Sequence, residues 1–174
     1  VYTGGLNGCY WIRILDRLPN GNLLIENLWN VGKIKVEHVQ AVIEPDLVYP
    51  LLRGRDVSRW KAEPSAHIIL ANETSKLAGI SDVVMKAEYP KTYSYLYRFE
   101  EQLRRRSGYR KYFKPTDPFY SMYNVGPYTT AKWKVVWREQ SALFQAAAID
   151  GEDKLPILPD HKLMMVRGKS GREV

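Results

Sequence analysis

Apolar and polar positions alternate unevenly along this chain, and most of the apolar runs are too short for helices. Residues 9–15 alternate and are rich in aromatic and β-branched side chains. The turn sequence Leu18-Pro19-Asn20-Gly21-Asn22 follows, and residues 23–28 resume the apolar run, which predicts a β-hairpin. Residues 36–43 form another short run that Glu44-Pro45-Asp46 punctuates before an apolar stretch ending at Leu52. Ala66-His67-Ile68-Ile69-Leu70 reads as a buried strand, whereas residues 80–87 are ambiguous. Tyr89-Pro90 then gives a helix start signal. Tyr93, Leu96, Tyr97, Glu100 and Leu103 follow helical spacing, so a helix is predicted over residues 90–106, closed by Gly108. Period two returns over residues 131–139: Trp133, Val135 and Trp137 share one face, expected to pack, and Lys132, Lys134, Val136 and Arg138 share the other, expected to be basic. An Ala-rich run over 143–149, a turn at Asp150-Gly151-Glu152-Asp153 and a last strand leading to Val166 complete the pattern. The fold class expected is α+β: a single domain of short, mostly antiparallel strands around one prominent helix.

Composition adds a partner class. Across 174 residues, 26 Lys+Arg against 19 Asp+Glu leave a net charge of +7, which favours a polyanionic partner. Twelve Tyr and five Trp against four Phe give most aromatic rings a polar handle, suited to ligand-facing surfaces as well as cores. One cysteine, Cys9, rules out an internal disulfide and points to a reducing, cytoplasmic setting. No window approaches the roughly 18 apolar residues of a membrane span, so no membrane partner is expected, and the Asn72-Glu73-Thr74 sequon reads as accidental. The chain begins without Met and ends on Lys-Ser-Gly-Arg-Glu-Val, as a piece of something longer would.

Candidate chemistry gathers in three places. After Leu52 the chain turns at once to Arg53, Gly54, Arg55, Asp56 and Arg59, an apolar platform with a basic lip. Arginine forks fit phosphate or the O6/N7 edge of guanine with paired hydrogen bonds; equally, Arg55 with Asp56, or Asp56 with Arg59, could pair on a solvated surface. Arg104-Arg105-Arg106 falls where positive charge complements a helix C-terminus, and Arg110, Lys111 and Lys114 extend it into a run of the kind that tracks phosphates. Residues 115–130 mix aromatics with turn formers, placing Tyr120, Tyr123 and Tyr128, with Lys132, as base-facing candidates. For each tyrosine, closing the core is an equal alternative.

Other motifs carry less. Gly4-Gly5, Gly8 and Gly32 form no Gly-x-Gly between strand and helix and read as connections. His38 and His67 have no metal-ligand spacing and no nucleophile motif. Asp160-His161 could be an acid/base pair but reads better as a structural turn. Asp117-Pro118-Phe119-Tyr120 nearly matches the Asn/Asp-Pro-Pro-Tyr motif of amino-methylating enzymes, yet Phe replaces the second Pro and no glycine-rich cofactor loop precedes it, so it reads as a decoy.

Four blocks in order nevertheless resemble a known family: L-V-Y-P-L-L-R-G-R-D-V-S-R-W, then Y-P-K-T-Y-S-Y-L-Y-R-F-E-E-Q-L-R-R-R-S, then F-Y-S-M-Y-N-V-G-P-Y-T-T-A-K-W-K-V-V-W-R-E, then I-L-P-D-H-K-L-M-M-V. Together, over residues 47–166, they resemble the TaqI-like target-recognition domain in the C-terminal half of bacterial N6-adenine DNA methyltransferases of restriction-modification systems. The resemblance implies that residues 45–174 form a DNA target-recognition domain and that residues 1–44 approach from a catalytic domain, packed on the same core. It implies double-stranded DNA and that catalytic domain as partners, with S-adenosylmethionine bound by the parent protein and no cofactor or catalysis in this piece. It assigns no base-contacting residues individually. Local chemistry selects Arg53, Arg55 and Arg59 for phosphate or guanine, Arg104, Arg105, Lys111 and Lys114 for phosphate, and Tyr120, Tyr123, Tyr128 and Lys132 near bases. Two alternatives stay open: an enzyme with its site at residues 117–120, and a module that docks a partner subunit through its tyrosine-rich surface.

Overall fold

The first hairpin forms where the turn residues dictate. In the computed structural model, which describes residues 1–151 and 155–170, strands β1 (Trp11–Arg17) and β2 (Leu23–Asn27) pair antiparallel. Leu18 N–H donates to Asn22 O, and Gly21 takes φ +84°, a torsion that costs glycine little. Tyr10 and its neighbours, Asn7–Tyr10, coil into one short helix, α1, rather than extending the strand. β3 (Gln40–Ile43) adds to β2, and β4 (Val48–Leu52) follows. β5 (Val57–Ser58) and β6 (Lys61–Ala62) make a small hairpin, β7 (Ala66–Ile69) joins β1 to β4, and β8 (Asn72–Glu73) pairs with β9 (Ala78–Gly79). Glu152 and Asp153 of the expected turn at 150–153 lie outside the described residues.

Helices then cover the sheet. α2 (Asp82–Glu88) resolves the ambiguous run, capped by the Ser81 hydroxyl on the Val84 N–H. The single helix expected over residues 90–106 is interrupted: α3 (Pro90–Tyr97) stops, α4 (Glu100–Arg104) restarts, and α5 (Ser107–Tyr112) contains Gly108 instead of ending before it. The break lies at Phe99, whose N–H closes a tighter bond to Leu96 O and whose ring is buried with Leu96 and Leu103. The three fall on one helical face, i, i+3 and i+7, so the apolar pattern runs unbroken across a point where the backbone bonding changes. Glu44, which the sequence offered only as punctuation, fastens α3 to the sheet. Its carboxylate accepts from Lys91 N–H, Thr92 N–H and the Thr92 hydroxyl. Burial would raise its pKa, but these hydrogen bonds hold it below the ordinary glutamate value.

The last quarter returns to strands: β10 (Lys134–Arg138), β11 (Ala146–Ile149), β12 (Leu158–Pro159) and β13 (Leu163–Arg167). The main sheet runs β12-β4-β7-β1-β2-β3, antiparallel except for β12 on β4, and a second sheet runs β11-β10-β13. The architecture is α+β with short, mostly antiparallel strands. Residues 1–44 supply three strands of the main sheet and share its core. Strand alternation makes β4 the joint between two cores: Leu51 enters the large one and Leu52 the small one, with Val57, Val136, Ala147, Ile149 and Leu163.

β10 reverses the expected faces. Lys134 and Val136 are fully buried, whereas Val135 and Trp137 stay half-exposed. Lys134 can be inside because its ammonium donates to Thr129 O at 3.2 Å and Ile157 O at 2.8 Å. Burial without a carboxylate still pulls its pKa down to about 8.

Candidate nucleic-acid interface

Leaving the joint strand, the chain turns through a 3-10 segment, Gly54–Asp56. Asp56 organises it: its carboxylate accepts Arg53 N–H at 2.8 Å, the Arg53 Nε at 3.5 Å, and the Ser65 hydroxyl, while Ser65 in turn accepts from the Arg53 guanidinium. The close partner of Asp56 is therefore Arg53, and not Arg55 or Arg59 as surface pairing suggested. Arg53 is only 8% exposed, and burial lowers its pKa against the opposing pull of Asp56. Arg55 remains exposed, 3.9 Å from Asp56, and Arg59 lies over the exposed Trp60 ring at 5.6 Å. Trp60 is held there at φ +66°, a torsion rare for a bulky side chain.

The second basic cluster also divides into spent and unspent charge. Arg104 pairs with Glu100 at 2.8 Å and reaches Tyr109 and Pro115 O. Arg105 pairs with Glu101 at 2.5 Å. Arg106, a residue the sequence treated as a cap, is buried and donates to Leu103 O, Phe119 O and Ser121 O at 2.8, 2.7 and 2.9 Å. It ties the loop after α5 to the end of α4. Arg110, Lys111 and Lys114 are exposed, with the Lys111 ammonium 5.1 Å above the Tyr112 ring.

The three tyrosines part company. Tyr120 is wholly enclosed; its hydroxyl donates to Ile80 O at 2.7 Å and lies 2.9 Å from an Asp82 carboxylate oxygen, and its own carbonyl accepts from Tyr10. It offers no ring to a ligand, which also disposes of residues 117–120 as a base-stacking site: Phe119 is buried beside it, and Asp117 accepts from Lys114 N–H in a turn. Tyr123 is exposed and stacks on Tyr112 with ring centroids 3.8 Å apart. Tyr128 is half-buried and donates to Asn124 O at 2.9 Å, while Lys132 is exposed on the following loop.

Folding brings parts of both basic clusters to one cleft of about 1090 Å³. The first cluster contributes Arg53 and Arg55, the second Arg105, Arg106 and Arg110, and two residues not singled out in the sequence, Lys33 and Lys162, complete it. Asp160 is the one carboxylate lining it among the described residues. Lys33, Arg110 and Lys162 are exposed and form no ion pair among the described residues. Arg59, Arg104, Lys111, Lys114, Tyr123, Tyr128 and Lys132 lie outside this cleft. The wall near Lys33 depends on close backbone packing: Gly32 takes φ +109°, and a Cβ there would meet Gly5 O at 3.0 Å. The glycines at 4, 5 and 32 thus shape the cleft rather than forming a phosphate loop.

Two further features belong to this cleft. Trp11 lines it, is 4% exposed, and its indole N–H has no acceptor, a condition that costs about 1–3 kcal/mol. His161 sets its Nδ1 2.6 Å from the buried Asp160 carboxylate and its ring edge-on to Tyr2, with centroids 5.2 Å apart. No nucleophile stands in hydrogen-bond contact with that pair, and no group of three or more His, Cys, Asp or Glu that could hold a metal occurs among the described residues. The arrangement can bind and orient an anion.

No known protein family matches the chain, and no curated protein matches it either. No helix is long and apolar enough to cross a membrane among the described residues.

Proposed function

We propose that this chain binds duplex DNA as the target-recognition part of an S-adenosylmethionine-dependent N6-adenine DNA methyltransferase of a restriction-modification system. The observation that carries the reading is the convergence on one cleft, from four separate segments, of Lys33, Arg110 and Lys162, which form no ion pair among the described residues, and of the exposed Arg55, 3.9 Å from Asp56. Cations placed so release counterions from a phosphate backbone and gain affinity by it. The ordered resemblance over residues 47–166 supplies the particular class. The cofactor and the methyl transfer belong, on this reading, to a catalytic domain of the same protein, and the work of the present residues is grip and register.

In this scheme Arg53 and Arg106 do not touch DNA. Their guanidiniums fix the two turns from which Arg55 and Arg110 project. Arg59, beyond the cleft, is the candidate for a guanine edge. The test is to select retained sequences from a randomised duplex pool and then compare alanine variants. Arg59→Ala should lose about 1–3 kcal/mol and relax one base position, while Lys33→Ala should weaken all sequences alike. Unchanged affinity in both variants contradicts the assignment.

A second reading, docking of a partner subunit, is favoured by one surface. Met164 and Val166 are 47% and 59% exposed and stand opposite Trp137 and Val135 in the second sheet, and the 78% exposed Phe144 lies 6.3 Å from the Trp137 ring, an apolar grouping of the kind that partners cover. If docking is the main function, nucleic-acid binding will be weak and indifferent to sequence.

A further inference from the structure

We propose that the basic cleft is a nucleotide site: it takes one unpaired nucleotide, the phosphate among Lys33, Arg55, Arg110 and Lys162 and the base against the apolar wall. The inference deepens the DNA-binding reading and rests on it for the source of the nucleotide.

Size is the first argument. At about 1090 Å³ the cleft lies just above the range for small-ligand sites, roughly 300–1,000 Å³. It can enclose a nucleotide, whereas a double helix can only lie across its mouth. The lining is the second argument. Phosphates alone would require only the cations, yet Leu6, Trp11, Val31 and Ile34 also line the cleft. A ligand matching both parts has an anionic end and a flat, largely apolar end. The third argument is the orphan donor. Trp11 is nine-tenths buried in that wall with its indole N–H unpartnered and almost without accessible surface, so a ring nitrogen or carbonyl oxygen of a nucleobase accepts from it only when the side chain turns toward the cleft. Tyr2 and His161 add exposed rings beside the cations, of the kind on which bases stack.

The same chemistry could be met by an unpaired nucleotide within DNA or by a free mononucleotide, so the experiment separates them. Anisotropy at fixed salt would compare a fully paired duplex with the same duplex carrying one bulged nucleotide, each titrated alone and in competition with free dAMP. The expected result is a bulge bound about tenfold more tightly, the factor one stacked base supplies, with dAMP erasing that advantage. Trp11→Phe, which keeps a ring and removes the N–H, should cut the advantage severalfold, as should the exposed pair Lys33→Ala/Lys162→Ala if the core variant fails to fold by circular dichroism. Lys76→Ala, remote in sequence and paired with Glu73, should change nothing.

Equal binding of both duplexes without competition by dAMP overturns the nucleotide site and leaves DNA binding intact. A bulge advantage that survives both sets of variants comes from the bendability of bulged DNA and also overturns the site. Binding of dAMP with no duplex binding keeps the site, assigns it to a free nucleotide, and overturns the DNA reading. No binding of either overturns both.

Discussion

Three buried polar side chains show how this molecule places charge and hydroxyls where the sequence suggested surface. Arg106 bridges α4 and the loop after α5 through three carbonyls. Arg106→Ala should therefore destabilise the fold by about 3 kcal/mol in urea unfolding, because buried acceptors lose a charged donor; a loss under 1 kcal/mol would contradict the bridge. Lys134 makes a pH prediction. Its native pKa of about 8 lies below the unfolded value, near 10.5. Above pH 8 the native state sheds a proton that the unfolded chain keeps. Its contribution to stability therefore rises from about pH 8 to 10.5 and is flat below. The stability difference between the wild type and Lys134→Met should change over that window by up to about 3 kcal/mol in favour of the wild type, and a constant difference would show that the ammonium is not desolvated. Tyr120 belongs to the same group, since its enclosed hydroxyl serves the core. The burial of Arg106 and Lys134 was not legible beforehand, and for Tyr120 the core stood as one of two open alternatives, because residue type and spacing give charge and period but not which carbonyls a fold leaves open.

At the scale of elements, the sequence was legible where turn chemistry or period was strong. The Asn20-Gly21 hairpin, the buried strand now seen as β7 and the Pro90 helix start all stand where the pattern put them. The continuous helix to residue 106 did not, because helical spacing continues through Leu96, Phe99 and Leu103, all buried on one face, and so carries no sign of the tighter Phe99 N–H bond to Leu96 O at which the helix breaks. Phe99→Ala should cost about 3–5 kcal/mol, measured by thermal or urea unfolding. A cost below 1 kcal/mol would contradict the burial of the Phe99 ring in the core. β10 reversed its expected faces: Trp133, Val135 and Trp137 read as the packing side against Lys132, Lys134, Val136 and Arg138, but the inner face of a small sheet admitted Lys134 at its end, where Thr129 O and Ile157 O accept.

Over the whole molecule, the two basic clusters were legible and their meeting was not. Arg55 and Arg110 are far apart in sequence, and Lys33 and Lys162 gave no local signal. Only the topology, with β4 joining both cores and α5 lying beyond the broken helix, brings them to one cleft. The central claim is that these four cations grip a phosphate backbone, and the measurement that tests it most directly is the salt dependence of duplex binding. Plotted as log affinity against log salt, the line should be steep for the wild type. It should flatten by about 0.9 for each phosphate that is no longer neutralised when Lys33, Arg55, Arg110 and Lys162 are all changed to Ala. An unchanged slope in that variant, with its circular dichroism intact, would contradict the grip.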